Sequence, residues 1–567
     1  MQDAVISTTV RRDRLLGLAA ILLVIGAVFR VVATYPYFWQ TYDEPAHLAG
    51  GMQWLDEKRY VYEPHHAPLA RIAIAAAPYL DGLRSTGQAN FWDEGNAILH
   101  SRGTYEHNLV LARIGVLPFF IVAALIVWYW TRQAFGAVSA LGAVALFSTL
   151  PPILAHSGFA TTETALVAFL GAAFLAICQW LERPRPWQAA LMGFAFALAL
   201  LSKFSALLFV AAGGAGLWLV HFHFYRAEGT PPVRYLTAYV PSLLLAGVVA
   251  GLVVWMGYRF SVAPLVSDGP THPRIDQVVG QQEWLKPIVY AIAETVVIPA
   301  PELFTGIKHV LEHNERGHTS FLLGDVRTHG WWYFFPVSLA VKTPIPFMIL
   351  ACFGVLALVR QSALRQFRTV APLLLAGVML VVVLPSSINI GVRHVLPIYL
   401  FLSILAGAGI GWLLSNERFR VSAKLLVALL VGWQVSASVL AHPDYLSWFN
   451  GLAGERPENI VIDSDLDWGQ DLKRLAAVIR EEGIKEIHVA YHGSASPDKL
   501  LPTKVLDLPV GVPVVGWIAV SQMVLKTGGY IAPYDGYRWL SNHIPVRVIG
   551  SSILLFHIPA SSEIGLR

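Results

Sequence analysis

The feature that most constrains this chain is its repeated apolar runs, each close to the about 20 residues a helix needs to cross a bilayer. Eleven such runs are legible, at 15–34, 109–131, 135–154, 162–181, 187–201, 204–222, 235–258, 335–359, 370–385, 395–414 and 425–441. Charged residues make up only 14% of the 567, against roughly 25% in a soluble globule. The fold class that follows is a polytopic α-helical membrane protein with about eleven transmembrane helices. Arg11, Arg12 and Arg14 precede the first run, but that run is long and no clear small-residue cleavage site follows it. It is expected to stay as the first helix rather than act as a cleaved signal. The net charge of +4 is small and gives no sign of a nucleic-acid partner. Cys178 and Cys352 lie inside apolar runs and are expected to be packing residues.

Basic residues set the orientation. With the N-terminus inside, the short inner loops hold Arg132, Arg183, Arg185, Arg226, Arg234, Arg360, Arg365, Arg368, Arg418, Arg420 and Lys424. Residues 1–442 are then a membrane domain with two long outer loops, 35–108 and 259–332, and long loops are usually functional. Within the first, "APLARIAIAAAPYL" (67–80) is too short to span and suits an interfacial helix. After Ala441 the composition changes. "ENIVIDSD", "WGQDLKRLAAVIREEG" and "KEIHVAYHG" suggest strand, helix, strand, with Leu472, Leu475, Ala476 and Ile479 at helical spacing. "GWIAVSQM", "VRVIG" and "ILLFHI" suggest further strands. Residues 443–567 are therefore expected to form a small α/β domain outside the cytoplasm.

The charges nearest the outer face carry the chemical interest. Asp43 and Glu44 stand together just beyond the first run, before Pro45. An acidic residue there suits a helix N-cap and equally a general base at the water-facing edge of a membrane cavity. His65, His66 and Arg71 sit where the first loop enters its short helix, placing cationic or hydrogen-bonding groups at lipid-phosphate depth. The adjacent histidines have no third ligand at a suitable spacing, so no metal is predicted. Glu163 opens the fourth run and Lys203 sits at the turn between the fifth and sixth, and such charges usually pair or face a cavity. Lys342 and the pair Arg393-His394 also lie toward outer ends. Lys203, Lys342 and Arg393 together could hold a phosphate, with arginine's planar fork the best suited. In "DSDLDWGQDL", Asp463, Asp465, Asp467 and Asp471 lack the glycine and glutamate of a calcium loop, so a strand end leading into a capped helix is expected.

These motifs, in this order, resemble the GT-C superfamily of polyprenyl-phosphate-sugar-dependent glycosyltransferases. The closer likeness is to the bacterial branch of the protein O-mannosyltransferase family, which includes the lipid A aminoarabinose transferase. The resemblance runs from about residue 40 to 540. It rests on "DEPAHLAGG" with "EPHHAPLA", on "FATTETAL" and "LLSKFSALL", and on "GWWYFFPVSLAVKTPIP", "INIGVRHVLPIYLFLSILAG" and "HPDYLSWFNGLAGERPENIVIDSDLDWGQDL". His66 and Ala67 stand where relatives often carry Lys or Pro, and Glu163 where they often carry Asp.

The resemblance implies a catalytic base at Asp43, with Glu44 supporting it or orienting the acceptor. It implies donor-phosphate contacts among Arg393, His394, Lys203, Lys342, Arg71 and His66, with Glu163 supporting them. The implied reaction moves a sugar, with inversion, from a polyprenyl-phosphate donor to a hydroxyl acceptor at the outer face of a bacterial cytoplasmic membrane. It requires no cofactor, because cationic side chains can stabilise a departing phosphate. A transporter and a non-catalytic lipid-binding scaffold are the competing readings.

Overall fold

The computed structural model describes residues 2–225, 232–264, 284–360, 366–415 and 420–559. Arg226, Arg365 and Arg418 of the inner loops lie outside the described residues, as do the middle of the second outer loop and the last eight residues.

Helices form at all eleven apolar runs. Among the described residues seven are long and apolar enough to cross a membrane, or nine when each of two bent pairs counts as one span. The remaining two runs form apolar helices of 17 residues, Pro186–Ser202 and Phe367–Val383. The eighth run departs most from expectation. It forms two helices, Phe334–Lys342 and Ile345–Arg360, bent by 109°. The cause is local. Thr343 precedes Pro344 and takes an extended conformation (φ −94°, ψ 129°), because a residue before proline is pushed out of the helical region. The break ends the first helix at Lys342, whose Nζ meets the C-terminal segment at the Leu446 and Asp465 carbonyls. The third run bends by 62° between Ala137–Phe147 and Pro151–Gly158, where Pro151 and Pro152 start the second piece.

The first outer loop carries three helices of its own, Glu44–Met52, Pro68–Leu80 and Phe91–His100. Pro68–Leu80 is not a free interfacial helix. Its Ala70, Arg71, Ile74 and Ala75 are buried, and Gly51 lies against it so closely that a Cβ there would come within 1.9 Å of the Arg71 carbonyl oxygen. The glycine pair of "HLAGGM" is what lets the two helices touch.

In the second outer loop, β1 (Val262–Pro264) pairs antiparallel with β2 (Val297–Pro299), and β3 (Ser320–Leu322) pairs antiparallel with β4 (Asp325–Arg327). The C-terminal part forms a five-stranded sheet from β5 (Glu486–Ala490), β6 (Lys504–Asp507), β7 (Gly516–Ser521), β8 (Arg547–Ile549) and β9 (Ile553–Ile558), in the order β6-β5-β7-β9-β8. β5 runs parallel to β6 and β7, while β9 is antiparallel to β7 and β8. The helix Leu472–Glu481 buries Leu472, Leu475, Ala476 and Ile479, the stripe its spacing predicts. "ENIVIDSD" is not a strand. It forms two 3-10 turns, Pro457–Asn459 and Asp463–Asp465, with a single bridge from Val461 to Leu322.

The sheet domain is not separate from the outer loop. Trp39, Leu48, Ile74 and Ile98 share one hydrophobic cluster with Leu472, Leu475, Ile487 and Leu555.

Candidate active site

Asp43 and Glu44 are adjacent in sequence and do different things. Glu44 points inward. Its Oε1 accepts from Arg113 Nε (2.8 Å) and the Ala160 amide (2.8 Å), and its Oε2 from Arg113 Nη2 (2.8 Å) and the Thr41 amide (2.7 Å). Arg113 also donates to the carbonyls of Phe38 and Trp39. Both side chains of this pair are 1% exposed. Glu44 is thus a buried clamp between the first loop and two membrane helices, and the catalytic support expected of it is not what its geometry offers.

Asp43 begins the helix Glu44–Met52 by position, but its side chain makes no capping bond. Its Oδ2 instead accepts from Arg393 Nη1. Its Oδ1 has no donor among the described residues, and the side chain is 19% exposed. A carboxylate with one oxygen held by a guanidinium and the other open has the form of a positioned base.

Arg393 lies in the 3-10 turn Val392–Val395, before the helix Ile398–Ser415. The C-terminal motif holds that turn from the other side: Asp465 Oδ1 accepts from the Val392 amide (3.0 Å), and Ser464 Oγ donates to the Ile390 carbonyl. The guanidinium carbon sits 4.4 Å from the centre of the Trp468 ring, a cation–π contact that orients the fork. Arg393 Nη1 is also 3.8 Å from Glu163 Oε1, and Lys203 Nζ donates to that same oxygen at 2.8 Å. Asp43, Arg393, Glu163 and Lys203 therefore form one string of alternating charge, drawn from four separate segments. Two polar atoms in the string are buried without a partner among the described residues, Arg393 Nε and Glu163 Oε2. Leaving such groups unpaired is costly.

The other expected phosphate contacts divide. His394 is half-buried and, like His66, lies within electrostatic reach of Lys203. Burial, with His47 and His65 close by, holds His66 well below its ordinary pKa. Arg71 does not join the string. It is fully buried, with Nη2 on Glu63 (2.7 Å) and on the Ala46 carbonyl (2.6 Å), and Nη1 on Tyr60 (2.9 Å). Lys342 is equally committed: Nζ donates to the carbonyls of Leu446 (2.6 Å) and Asp465 (2.7 Å) and sits 4.1 Å from the Phe449 ring centre. Both cations hold the protein together where a phosphate contact was expected.

The third ligand that sequence spacing did not reveal is Glu63. Its Oε1 is 3.2 Å from His65 Nε2 and 3.6 Å from His66 Nε2, and the three ligand atoms lie within 4.8 Å of one another. One carboxylate and two imidazoles are groups that can bind a zinc-sized ion.

An aromatic wall stands beside Asp43. Tyr42 packs edge-on to Trp92 (4.9 Å between ring centres) and stacks on His492 (5.1 Å), whose Nδ1 pairs with Tyr530 Oη (2.5 Å). The Tyr42 amide donates to the Trp468 carbonyl (2.9 Å). Asp463 completes this side. Burial pushes its carboxyl up to about 7, with Arg393 opposing and Asp43 adding to the rise.

Arg113 and Trp468 were not singled out by local sequence grammar, and Asp463 was weighed only as part of a calcium loop. A signal existed for Arg113, a lone arginine early in an apolar run, as it did for Glu163. Trp468 offered none, since nothing local ties it to a turn far upstream.

Residues 106–255 match the family model described as dolichyl-phosphate-mannose-protein mannosyltransferase. That stretch contains Glu163 and Lys203 but neither Asp43 nor Arg393. No curated protein matches in sequence. Among solved structures the chain resembles the archaeal oligosaccharyltransferase AglB of Archaeoglobus fulgidus, in complex with an inhibitory peptide and a dolichol-phosphate. That likeness has a TM-score of 0.50 at 12% identity and covers 90% of this chain and 70% of that one. It also resembles ArnT of Cupriavidus metallidurans bound to undecaprenyl phosphate, with a TM-score of 0.49 at 13% identity, covering 94% of this chain and 97% of that one. The chain therefore has the fold of that archaeal oligosaccharyltransferase, and its residues 106–255 resemble the mannosyltransferase family.

Proposed function

We propose that the protein is an inverting glycosyltransferase that moves a hexose or pentose from a polyprenyl-phosphate donor to an acceptor hydroxyl. The acceptor class is a protein side chain, a glycolipid or an envelope polysaccharide. The reading places the reaction at the outer face of a bacterial cytoplasmic membrane, with the N-terminus inside and residues 443–567 outside. The observation that carries it is the charge string, in which a half-open carboxylate and a nearly buried arginine are paired. AglB, the neighbour with matching fold, was solved with a dolichol-phosphate, which supports a lipid-phosphate donor.

In this reading Asp43 Oδ1 accepts the proton of the acceptor hydroxyl as its oxygen attacks the anomeric carbon. The bond from that carbon to the phosphate oxygen breaks, and the phosphate leaves with the electron pair. Attack from the face opposite the phosphate inverts the carbon. Arg393 keeps Nη1 on Asp43 and turns its unpartnered Nε toward the phosphate. A dry, low-dielectric surrounding strengthens that contact. Lys203 offsets the charge of Glu163, so Arg393 stays available to two anions.

The test is reconstitution of the purified chain in proteoliposomes with polyprenyl-phosphate sugars, combined with mass spectrometry of envelope glycans and glycoproteins with and without the active protein. Loss of one defined glycan on inactivation is expected. Unchanged glycans together with lipid-sugar movement across the vesicle would instead identify a transporter.

A further inference from the structure

The motif "DSDLDWGQDL" holds four aspartates, and three are fully occupied. Asp465 accepts from the Val392 amide (3.0 Å) and Ser338 Oγ (2.7 Å). Asp467 accepts from the amides of Met523 (2.8 Å) and Gly469 (3.4 Å). Asp471 accepts from Ser552 Oγ (2.8 Å), the Ser551 amide (3.2 Å) and Arg474 (2.9 Å). These three fix the sheet domain to the membrane part and shape the turn that carries Arg393.

Asp463 is different. Its Oδ1 accepts only from the neighbouring Ser464 amide (2.6 Å), and its Oδ2 has no donor among the described residues. Yet the residue is 8% exposed. It also sits at φ +52°, a left-handed conformation that costs a non-glycine residue free energy and persists only when its surroundings enforce it. Here the enforcement is visible: the amides of Leu466 (2.9 Å) and Asp467 (2.8 Å) both donate to the Asp463 carbonyl. Arg393 and Asp43 interact electrostatically with this carboxylate, as do Tyr42 and Tyr530 of the aromatic wall. Arg393 Nε is itself buried without a partner among the described residues.

The following inference rests on the proposed function. With the phosphate on Arg393 and the attacking hydroxyl on Asp43, the transferred ring must lie between them. Asp463 is held beside the Arg393 turn by its neighbours Ser464 and Asp465, which bond the Ile390 carbonyl and the Val392 amide, and this places its open Oδ2 within reach of the ring. We propose that Asp463 is a sugar-binding residue whose free Oδ2 accepts a hydrogen bond from a hydroxyl of the donor's sugar, with Tyr42 and Tyr530 packing against the ring. A site built to bond a hydroxyl discriminates strongly against ligands lacking it, so this residue confers preference for the sugar-bearing lipid over the bare lipid phosphate.

The experiment measures binding of two kinds of probe to the full-length protein in nanodiscs. One is undecaprenyl phosphate alone; the other is undecaprenyl phosphate bearing mannose, glucose, galactose or an aminopentose. The wild type is expected to bind at least one sugar-bearing lipid more tightly than the bare one. Asp463→Asn is expected to cut that preference by about tenfold or more while changing bare-lipid affinity less than twofold. Asparagine tolerates a positive φ, and retained bare-lipid binding reports that the variant is folded. Arg393→Ala is expected to weaken both probes alike. The proposal is overturned if Asp463→Asn keeps the full preference, if it weakens both probes equally, or if the wild type prefers none of the sugars. A wild type that binds no lipid phosphate at all would instead overturn the proposed function itself.

Discussion

Two carboxylate–arginine pairs stand one residue apart in sequence and contrast in nearly every physical respect. Glu44 and Arg113 are each 1% exposed, and Glu44 uses both oxygens on five donors. Asp43 is 19% exposed, with one oxygen on Arg393 and the other open. The first pair is saturated, so a substrate has nothing left to bind there. The second is held on one side only, and its arginine has a buried hydrogen-bond donor to spare. In the proposed function, saturation separates a charge that builds the site from a charge that works in it.

The largest expected effect tests the open pair. Asp43→Asn keeps the shape and removes the base, so turnover should fall by roughly 10²–10⁴-fold with thermal stability and lipid-phosphate binding nearly unchanged. A reconstituted variant within tenfold of wild type would remove Asp43 from the chemistry.

The saturated pair should respond in the opposite currency. Glu44→Gln strands Arg113 in the interior and should cost about 3–5 kcal/mol of stability, read as a lowered unfolding midpoint in detergent. Normal stability with abolished turnover would erase the contrast and return Glu44 to the reaction.

Glu163 and Lys203 sharpen the comparison between the extremes. Each single neutralisation should destabilise more than the double change, with a coupling of about 0.5–3 kcal/mol in a double-mutant cycle. Zero coupling would mean that the 2.8 Å contact contributes nothing to folding.

The smallest effect concerns Asp467, a saturated carboxylate without a cationic partner among the described residues. Burial pushes its carboxyl up to about 7 from an ordinary 3.8. The folded state therefore holds a proton that the unfolded state releases between those values. The stability from this group is fully present below about pH 4 and is lost as pH rises toward 7. The wild-type unfolding midpoint should fall from pH 5 to pH 8 by more than that of Asp467→Asn, which mimics the protonated acid. Parallel pH profiles would contradict this.

The sequence disclosed those parts of the molecule that depend on local composition. Eleven apolar runs became helices because length and hydropathy suffice for that. The stripe Leu472, Leu475, Ala476 and Ile479 was buried because a helical period fixes one face. The isolated charges Glu163, Lys203 and Arg393 were conspicuous because apolar surroundings make any charge so. Partner choice stayed hidden. Nothing local tells that Glu44 meets Arg113, that Arg71 turns to Glu63, or that Lys342 spends its donors on two carbonyls. The strand β6, "KVLD", was missed because a sheet edge with partly exposed residues lacks the alternation that marks a half-buried strand.

The turn carrying Arg393 is bonded by Ser464 and Asp465, and the backbone just before Asp43 is bonded by Trp468. Synthesis from the N-terminus makes the base early and these fasteners late. Until the final fifth of the polypeptide has emerged and docked, the arginine turn lacks its outer bonds and the aromatic wall lacks His492 and Tyr530. A nascent chain therefore carries Asp43 and Arg393 before the bonds that surround them can form.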